Sequence, residues 1–175
     1  MYKWCFVLVL FFLSCSKDPT PEVPTNTLVS TAVFTVGSSV QSFNNYLAEP
    51  ISGFNRNRYS IPTTSPILKI EVRPIFQTDS VNVRSQDLKF IYTEGTKTYV
   101  ADASRGDGFI KCIVNLSNEA NVTIRDGSGN LKSAIRKEET FDARFAAKLI
   151  NQAAPFDEVI ITNGKLTRNG KYYVY

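Results

Sequence analysis

The feature that most restricts the fold is a strict alternation of apolar and charged residues in the segment 67–73. Apolar side chains occupy every second position, and charged side chains the positions between them: Leu68, Ile70 and Val72, and Lys69, Glu71 and Arg73. Because successive side chains of a β-strand point to opposite faces, this pattern predicts a strand with one buried and one solvated face. Pro74, which lacks a backbone N–H group, indicates an edge position or a bulge near the end of this strand.

Further β-prone runs are separated by residues that favour turns. The runs 88–93 and 97–101, and likewise the runs 120–126 and 131–137, lie on either side of Gly-containing turns and predict two hairpins. The apolar run 109–116 predicts a central strand that is covered on both faces. Many short strands separated by turns are typical of an antiparallel sandwich.

The C-terminal segment 158–175 contains two Asn-Gly pairs, Asn163-Gly164 and Asn169-Gly170. Asn-Gly favours two-residue hairpin turns because both residues tolerate a positive φ. The segment is therefore predicted to form three short β runs joined by two tight turns, with a terminal strand over residues 171–175.

One segment, Thr140–Ala154, departs from the β pattern. Phe141, Phe145 and Leu149 follow one another at intervals of four residues, which places three large apolar side chains on one face of a helix. The threonine at the start of the segment suits an N-cap, and Pro155 ends the helix. This spacing predicts one amphipathic helix that packs against the sheet.

The segment Val114–Asp126, with Gly129 and Leu131 after it, reads Val-Asn-Leu-Ser-Asn-Glu-Ala-Asn-Val-Thr-Ile-Arg-Asp. It resembles immunoglobulin-like modules of bacterial secreted proteins, in which Asn-Val-Thr follows a short turn and leads into a Gly-containing hairpin. Together with the strand pattern, this resemblance implies that residues 27–175 form one mainly β domain. We expect an immunoglobulin-like antiparallel β-sandwich with one packed amphipathic helix.

The N-terminus has the composition of an export signal. Lys3 precedes an apolar run, Trp4–Leu13, and Ser14 and Cys15 follow it. Ten residues in a helix span roughly 15 Å, about half of a bilayer's hydrocarbon core. The run is therefore too short for a stable membrane span and predicts a signal peptide over residues 1–14.

The residues Phe12-Leu13-Ser14-Cys15 resemble the lipobox of bacterial lipoproteins, and Leu-Ser-Cys-Ser-Lys-Asp is similar to leaders of the Bacteroidota. This resemblance implies that Cys15 becomes the first residue of the mature chain and carries palmitate-type acyl chains, which anchor it stably in a membrane. Ser16 after the cysteine favours the outer membrane, on its periplasmic side or at the cell surface. Three prolines within residues 15–26 predict an extended, semi-rigid tether.

Composition excludes several classes of function. The chain has no histidine, so the commonest general base and the commonest neutral metal ligand are absent. Without the leader and its Lys3, nineteen basic residues face sixteen acidic ones, a mild balance of +3 that predicts no nucleic-acid partner. Cys112 has apolar neighbours at every second position and is expected to be a buried, unreactive thiol.

Two groups of residues are candidate contact surfaces. The long segment 41–66 is rich in turn-forming residues and aromatics, and long loops often carry function. Its candidate contact residues are Phe54, Arg56, Arg58 and Tyr59; these aromatics could equally cover an open edge of the sandwich. Tyr173 and Tyr175 lie two residues apart, which places them on one strand face, where they could stack on sugar rings or seal the core.

The sequence therefore predicts a non-enzymatic, lipid-anchored binding or assembly subunit at the outer membrane, with no cofactor and no metal. The segment Asp126–Asn130 alternates oxygen ligands, but no distal acid completes a calcium loop, so a plain turn is expected. The partner is expected to be another envelope protein or a glycan. The alternatives are a glycan-binding accessory lipoprotein and, less favoured, a glycoside-acting enzyme that uses two carboxylates.

Overall fold

The computed structural model describes residues 20–61 and 66–175 and places eleven strands in them. The strands are β1 (Val29–Val36), β2 (Ser39–Asn44), β3 (Leu47–Pro50), β4 (Asn57–Ile61), β5 (Ile67–Val72), β6 (Ser80–Asn82), β7 (Leu88–Glu94), β8 (Lys97–Ala101), β9 (Asp107–Arg125), β10 (Leu131–Asn151) and β11 (Glu158–Val174). The short 3₁₀ turn Val83–Ser85 follows β6. The predicted signal peptide and lipidation site lie outside the described residues.

All the strands belong to one antiparallel sheet that turns back on itself. Its order is β2-β1-β11-β10-β8-β7-β5-β4-β3, and β9 pairs with β10 and β6. Strand β10 pairs with β11 over most of its length but with β8 only through Ile150 and Asn151. At this short junction the sheet passes from one layer to the other, an arrangement that fits a β-sandwich.

The main core lies between the two layers. Phe145 of β10 packs against Phe34 of β1 and Phe90 of β7, with ring centroids 6.1 Å and 6.0 Å apart. All three side chains are almost fully buried. The predicted alternation in β5 is confirmed, because Leu68, Ile70 and Val72 point into this core. Strand β5 is paired on both sides without a register shift and ends before Pro74, so neither the edge position nor the bulge predicted from Pro74 is seen.

The two predicted hairpins are confirmed. Strands β7 and β8 pair around Gly95, and β9 and β10 pair around the turn 126–130. The second hairpin is much longer than predicted, since the ladder runs from Leu131↔Arg125 to Lys148↔Asp107.

The predicted helix over Thr140–Ala154 is wrong, because most of this segment is the C-terminal half of β10. Phe141, Phe145 and Leu149 are spaced by four residues, which fits one helix face but is also two strand repeats. Ala143 and Ala147 are buried between them and complete an alternation of period two. The large side chains alone did not distinguish the two periods, and pairing with β9 and β11 favours the strand.

The predicted tight turns in the C-terminal segment are also wrong, because β11 runs without interruption through both Asn-Gly pairs. Asn163 has a φ of 53°, and the register with β10 shifts between Phe145 and Ala147, which identifies a β-bulge. The ring of Phe145 lies over Gly164, where a Cβ atom would have no room. The Asn163-Gly164 pair therefore leaves room for an aromatic side chain and does not reverse the chain direction.

Candidate functional site

The ends of three strands extend beyond the main core and form a three-stranded ribbon, defined as residues 115–125 of β9, 131–140 of β10 and 168–174 of β11. The main core takes its side chains from β9 only as far as Cys112 and from β10 only from Phe141 onward. The ribbon has a small core of its own, in which Ile124, Ala134 and Tyr173 are buried. Most side chains in the β9 and β10 parts of the ribbon are exposed.

The N-terminal residues of the described chain pack on the ribbon. The carboxylate of Glu22 accepts a hydrogen bond from the hydroxyl of Tyr173 at 2.9 Å and forms an ion pair with Arg136. Thr27 then pairs with Lys171 on the far edge of the ribbon. Residues 20–26, which the sequence assigns to the tether, thus contact the folded domain, and residues 15–19 of that tether lie outside the described residues.

Strand β9 lies next to an open edge of the sheet and is not the central strand that the sequence predicts. At one end its outer side pairs with β6, and Cys112 donates a hydrogen bond to the carbonyl of Asp79 at 2.8 Å. At the other end, Glu22 donates to the carbonyl of Thr123 at 2.9 Å, and Arg125 donates to the carbonyl of Glu22 at 3.1 Å.

No segment of the described chain forms main-chain hydrogen bonds with the outer side of β9 between these two contacts, although the side chain of Asn115 donates to the carbonyl of Ile75 at 2.6 Å. We call this interval, residues 113–122, the β9 notch; at about 3.3 Å per residue it is roughly 33 Å long. Ile113 is the extra residue of a bulge, because Val114 pairs with Asp142 while Cys112 pairs with Ala143. Beyond the bulge, the backbone N–H and C=O groups that point away from β10 therefore belong to the odd-numbered residues, as they do at Thr123 and Arg125.

The side chains along the notch do little to prevent another strand from pairing with it. Natural edge strands are usually blocked by lysine, proline or inward-pointing charges. The notch has neither lysine nor proline, and its one charged residue, Glu119, is paired with Lys137 of β10 at 2.6 Å. Leu116 is 55% exposed on one face, and Asn115 and Ser117 line the other. The notch therefore presents unpaired main-chain groups between an apolar and a polar row of side chains.

A polar pocket lies where the ribbon joins the main core, and we call it the root pocket. Its volume is about 170 Å³, and it is lined by Tyr46, Asn57, Tyr59, Asn115, Leu116, Ser117, Glu139, Phe141 and Arg168. The rings of Tyr59 and Phe141 stack with centroids 5.7 Å apart. Arg168 and Glu139 form an ion pair with a 3.1 Å separation between Nε and Oε2, and the hydroxyl of Tyr172 donates to Oε1 of Glu139.

Two tyrosines make the root pocket electrostatically unusual. Tyr46 is 6% exposed, and its hydroxyl has no hydrogen-bond partner among the described residues. Burial, with a smaller effect from Tyr59, raises the pKa of Tyr46 well above its usual value. Burial also raises the pKa of Tyr59 to about 12. Both phenols are therefore neutral at physiological pH, and an unpaired buried hydroxyl costs about 1–3 kcal/mol.

A wider groove lies at the tip of the ribbon, and we call it the tip groove. Its volume is about 490 Å³, and its lining includes Asn121, Ile135 and Val174, which sit side by side on the three strands. Thr20 and Tyr175 also line it, so both the N-terminal end of the described chain and the C-terminus lie at this tip.

The structure does not bring the four loop residues that the sequence predicts as a contact surface together on one face. Phe54 is exposed, but Arg56 donates a hydrogen bond to the carbonyl of Gln86, and Arg58 forms ion pairs with Glu71 and Glu49. Tyr59 is 7% exposed and lies on the opposite face of β4 from Arg58. Tyr59 is part of the aromatic wall of the root pocket, and Arg56 lines a separate pocket together with Gln86 and Lys89.

The predicted tyrosine platform is also absent from the described structure. Tyr173 is 7% exposed, and its hydroxyl bonds to Glu22, whereas Tyr175 is 76% exposed beyond the end of β11. The sequence pattern placed both rings on one face but contained no signal that residues 20–26 cover that face.

The remaining features of chemical interest have structural explanations. The carboxylate of Asp126 accepts backbone hydrogen bonds from Ser128 and Asn130 and pairs with Lys132, and these contacts hold the turn between β9 and β10. Cys112 is buried, and burial raises the pKa of its thiol. Within residues 20–61 and 66–175 no cluster of three metal-ligating side chains occurs. No helix in the same ranges is long and apolar enough to cross a bilayer.

Comparison with known proteins gives no further assignment. No protein-family model matches the sequence, and neither a curated protein nor a solved structure shows a significant match to the chain. The candidate functional features of the chain are therefore the β9 notch, the root pocket and the tip groove. Sequence reasoning missed all three, although the lack of lysine and proline in 113–122 was a readable signal for the notch.

Proposed function

We propose that the protein is a lipid-anchored, non-enzymatic assembly subunit of the bacterial outer membrane, which binds an extended segment of another envelope protein. The observation that carries this proposal is the β9 notch, ten residues of unblocked strand edge. Extended peptides add to such edges by main-chain hydrogen bonds, and pockets beside the edge select alternate side chains. The immunoglobulin-like arrangement remains part of the proposal, supported by two antiparallel layers packed face to face.

The length of the notch favours a short segment over a second copy of the chain. Strand β9 has nineteen residues and extends beyond the notch at both ends. If the β9 edges of two copies paired symmetrically, the two strands would lie about 4.8 Å apart. Beyond each end of the notch, β6 of one copy and Glu22 of the other would then both have to lie between the two β9 strands. That gap has no room for a further strand. An extended segment of up to about ten residues, by contrast, fits between β6 and Glu22.

The side chains predict the character of the bound segment. On one face it meets Leu116 and Val114, and on the other it meets Asn115 and Ser117. Because Glu119 is already paired with Lys137, the notch offers no free charge for an ionic partner. A segment of alternating apolar and polar residues with little net charge matches this surface.

The proposed anchor determines the orientation of the domain. Thr20 lies five residue steps after Cys15, so their Cα atoms lie at most about 18 Å apart. Thr20 lines the tip groove, so the acyl chains on Cys15 would hold the tip of the ribbon next to the bilayer. The notch would then run from the membrane towards the main core, within reach of other anchored or membrane-embedded proteins.

Hydrogen exchange of the isolated protein tests the notch directly. The outward amides of Asn115, Ser117, Glu119 and Asn121 are expected to exchange fast, and the amides between them, which bond to β10, slowly. Uniform protection along 113–122 in the isolated protein would contradict an open edge and would indicate that the chain's own tether occupies it.

Photo-crosslinking in intact cells tests the partner. A photoreactive residue in place of Leu116 is expected to capture a defined segment of another envelope protein. Ser117→Pro removes one outward N–H group and should abolish the crosslink, whereas Ser117→Ala keeps that group and should retain it. Equal crosslinking in both variants, or capture of the same chain, would refute strand addition by another protein.

A further inference from the structure

Three basic side chains lie next to one another on the outer face of the sheet. Arg144 of β10 pairs directly with Lys111 of β9 on one side and with Lys165 of β11 on the other. Ala143 and Phe145, the sequence neighbours of Arg144, are buried in the main core, so the three basic side chains point to the opposite, solvent-facing side. We call this set the cation row. Adjacent strands lie about 4.8 Å apart, so the row spans about 10 Å.

The fold does not neutralise the cation row. Asp142 is the one carboxylate of the described ranges that pairs with it, with Oδ2 3.4 Å from Nζ of Lys165 and Oδ1 3.8 Å from Nε of Arg144. Both distances are longer than the 2.7–2.9 Å, approximately, of a charge-assisted hydrogen bond. Lys111 forms no ion pair with a described residue, and its neighbour on β6 is the uncharged Ser80. Like charges at directly opposed strand positions are destabilising, so the row indicates a role other than stabilising the fold.

The positive charge is confined to this row. Lys148, the next basic residue on this face of β10, is neutralised by Glu158 at 2.8 Å. Beyond Lys165 the row continues with Val33 of β1 and Ser42 of β2, which carry no charge. Nucleic acids select basic patches on strongly basic domains, whereas nineteen basic residues face sixteen acidic ones in this chain without its leader. The row therefore favours an anionic ligand that is less densely charged than a nucleic acid.

The proposed anchor excludes the headgroups of the protein's own membrane as that ligand. Along β10, Arg144 lies thirteen residues after Leu131 at the ribbon tip, about 40 Å away at 3.3 Å per residue. With the tip next to the bilayer, this distance is several times the Debye length of about 8 Å at physiological ionic strength. The ligand is therefore a molecule that reaches the outer face of the domain from beyond the membrane surface.

The residues around the cation row suit a sugar chain. Phe109 lies two positions before Lys111 on the same face of β9 and is 42% exposed. Its ring can cover the apolar C–H face of a sugar ring. Ser80 and Ser42 lie in line with the row on the flanking strands and offer hydroxyl groups for bonds to sugar hydroxyls.

We infer that the cation row binds an acidic polysaccharide. Carboxylate or sulfate groups of the chain pair with Lys111, Arg144 and Lys165, and a ring of the same chain lies on Phe109. Arg144, at the centre of the row, can hold one acidic group through two parallel hydrogen bonds. The row lies on a face of the sheet and the β9 notch at its edge, so a glycan and an extended protein segment can be bound together.

Biolayer interferometry on the full-length protein in a non-ionic detergent tests this inference. The immobilised probes are polygalacturonate and heparin, which carry carboxylate and sulfate groups, and neutral dextran. Binding to at least one of the acidic polymers and none to dextran is expected. The affinity should fall about tenfold or more as the ionic strength rises from about 0.05 M to about 0.5 M. No binding to either acidic polymer, equal binding to dextran, or tighter binding to a single-stranded oligonucleotide would overturn the inference.

Removal of single charges assigns the binding to the row. Arg144→Gln is expected to weaken it about tenfold, the effect of one lost charge-assisted contact. Lys69→Gln removes the same charge from the solvent-facing side of β5 and should change the affinity by less than about twofold. Without ligand, Lys111→Gln should have the Tm of the wild type or a higher one, because it removes a like-charge contact with Arg144. Equal losses of affinity in Arg144→Gln and Lys69→Gln, or a lower Tm of Lys111→Gln, would refute the site.

Discussion

Replacing Gly164 by alanine tests the bulge in β11 and its contact with Phe145. A Cβ atom at position 164 would lie 2.5 Å from Cδ2 of Phe145 and 2.5 Å from its carbonyl oxygen. Rotation of the ring relieves the first contact, but only movement of the β10 backbone relieves the second. Overpacking of a core costs about 1–3 kcal/mol, and the backbone contact places Gly164→Ala in the upper half, at about 2–3 kcal/mol.

Thermal unfolding followed by far-ultraviolet circular dichroism measures this loss. For a domain of this size, about 2–4 °C of Tm correspond to each kcal/mol, so Gly164→Ala should lower Tm by about 4–12 °C. Gly127→Ala is the matched control, because a Cβ atom there meets nothing within 4 Å. That variant should stay within about 0.5 kcal/mol of the wild type.

A double-mutant cycle separates the bulge from the hairpin turn that the sequence favours. If Gly164 is required because Phe145 covers it, Gly164→Ala should cost less in a Phe145→Leu background, with a coupling of about 1 kcal/mol or more. A glycine that is needed only for turn conformation would cost the same in both backgrounds. Zero coupling, or no loss of stability in Gly164→Ala, would refute the packing described for β11.

Two further predictions concern acid stability and orientation at the membrane. Hydrogen bonds from Lys97 and Asn151 lower the pKa of Asp157 in the folded protein below its ordinary 3.8. The ionised side chain therefore stabilises the fold fully above the ordinary pKa, and this stabilisation is lost as the pH falls towards the lower pKa of the folded state. Between about pH 5 and about pH 3, the urea concentration at the unfolding midpoint should fall less for Asp157→Asn than for the wild type. An equal fall would contradict a contribution of Asp157 to acid stability. A tryptophan introduced by Tyr175→Trp in the lipidated protein should be quenched by spin-labelled lipid vesicles, while Phe54→Trp should not. Equal quenching of the two would contradict a membrane-facing tip.

The local pattern was sufficient where a segment's own side chains decide its structure. The alternation in β5 has one large apolar side chain at every second position, which only a strand can bury on one side. The two hairpins likewise follow from turns between short β runs, since the residues that reverse the chain are adjacent in sequence.

The local pattern failed where two interpretations share a spacing. In β10 the three large residues Phe141, Phe145 and Leu149 fit both a helix and a strand, and the decisive partners were two alanines with small side chains. In β11 the Asn-Gly pair fits a hairpin turn as well as a bulge. Phe145, eighteen residues earlier, decides the outcome because its ring requires the space above Gly164.

The candidate site depends on contacts between segments that are distant in sequence. Tyr46 and Arg168 line one pocket although more than a hundred residues separate them. The β9 notch exists because β6 and Glu22 stop pairing at its two ends, and neither limit is encoded in residues 113–122 themselves. The six predicted contact residues were selected for their chemistry, and the fold separates them. Arg58 forms ion pairs, Arg56 bonds to a backbone carbonyl, Tyr59 and Tyr173 are buried, and Phe54 and Tyr175 are exposed.

The sequence alone determined that this chain is mainly β and antiparallel, because the alternation and the turn residues act over a few neighbouring positions. It also supports the expectation of a lipidated N-terminus, since that signal is read in extended form before folding. Only the tertiary structure decided which edge stays open, which tyrosine loses its hydrogen-bond partner, and that residues 20–26 pack on the ribbon. These properties arise from the pairing of distant strands, whose free energy is gained only when the whole sheet has closed around its core.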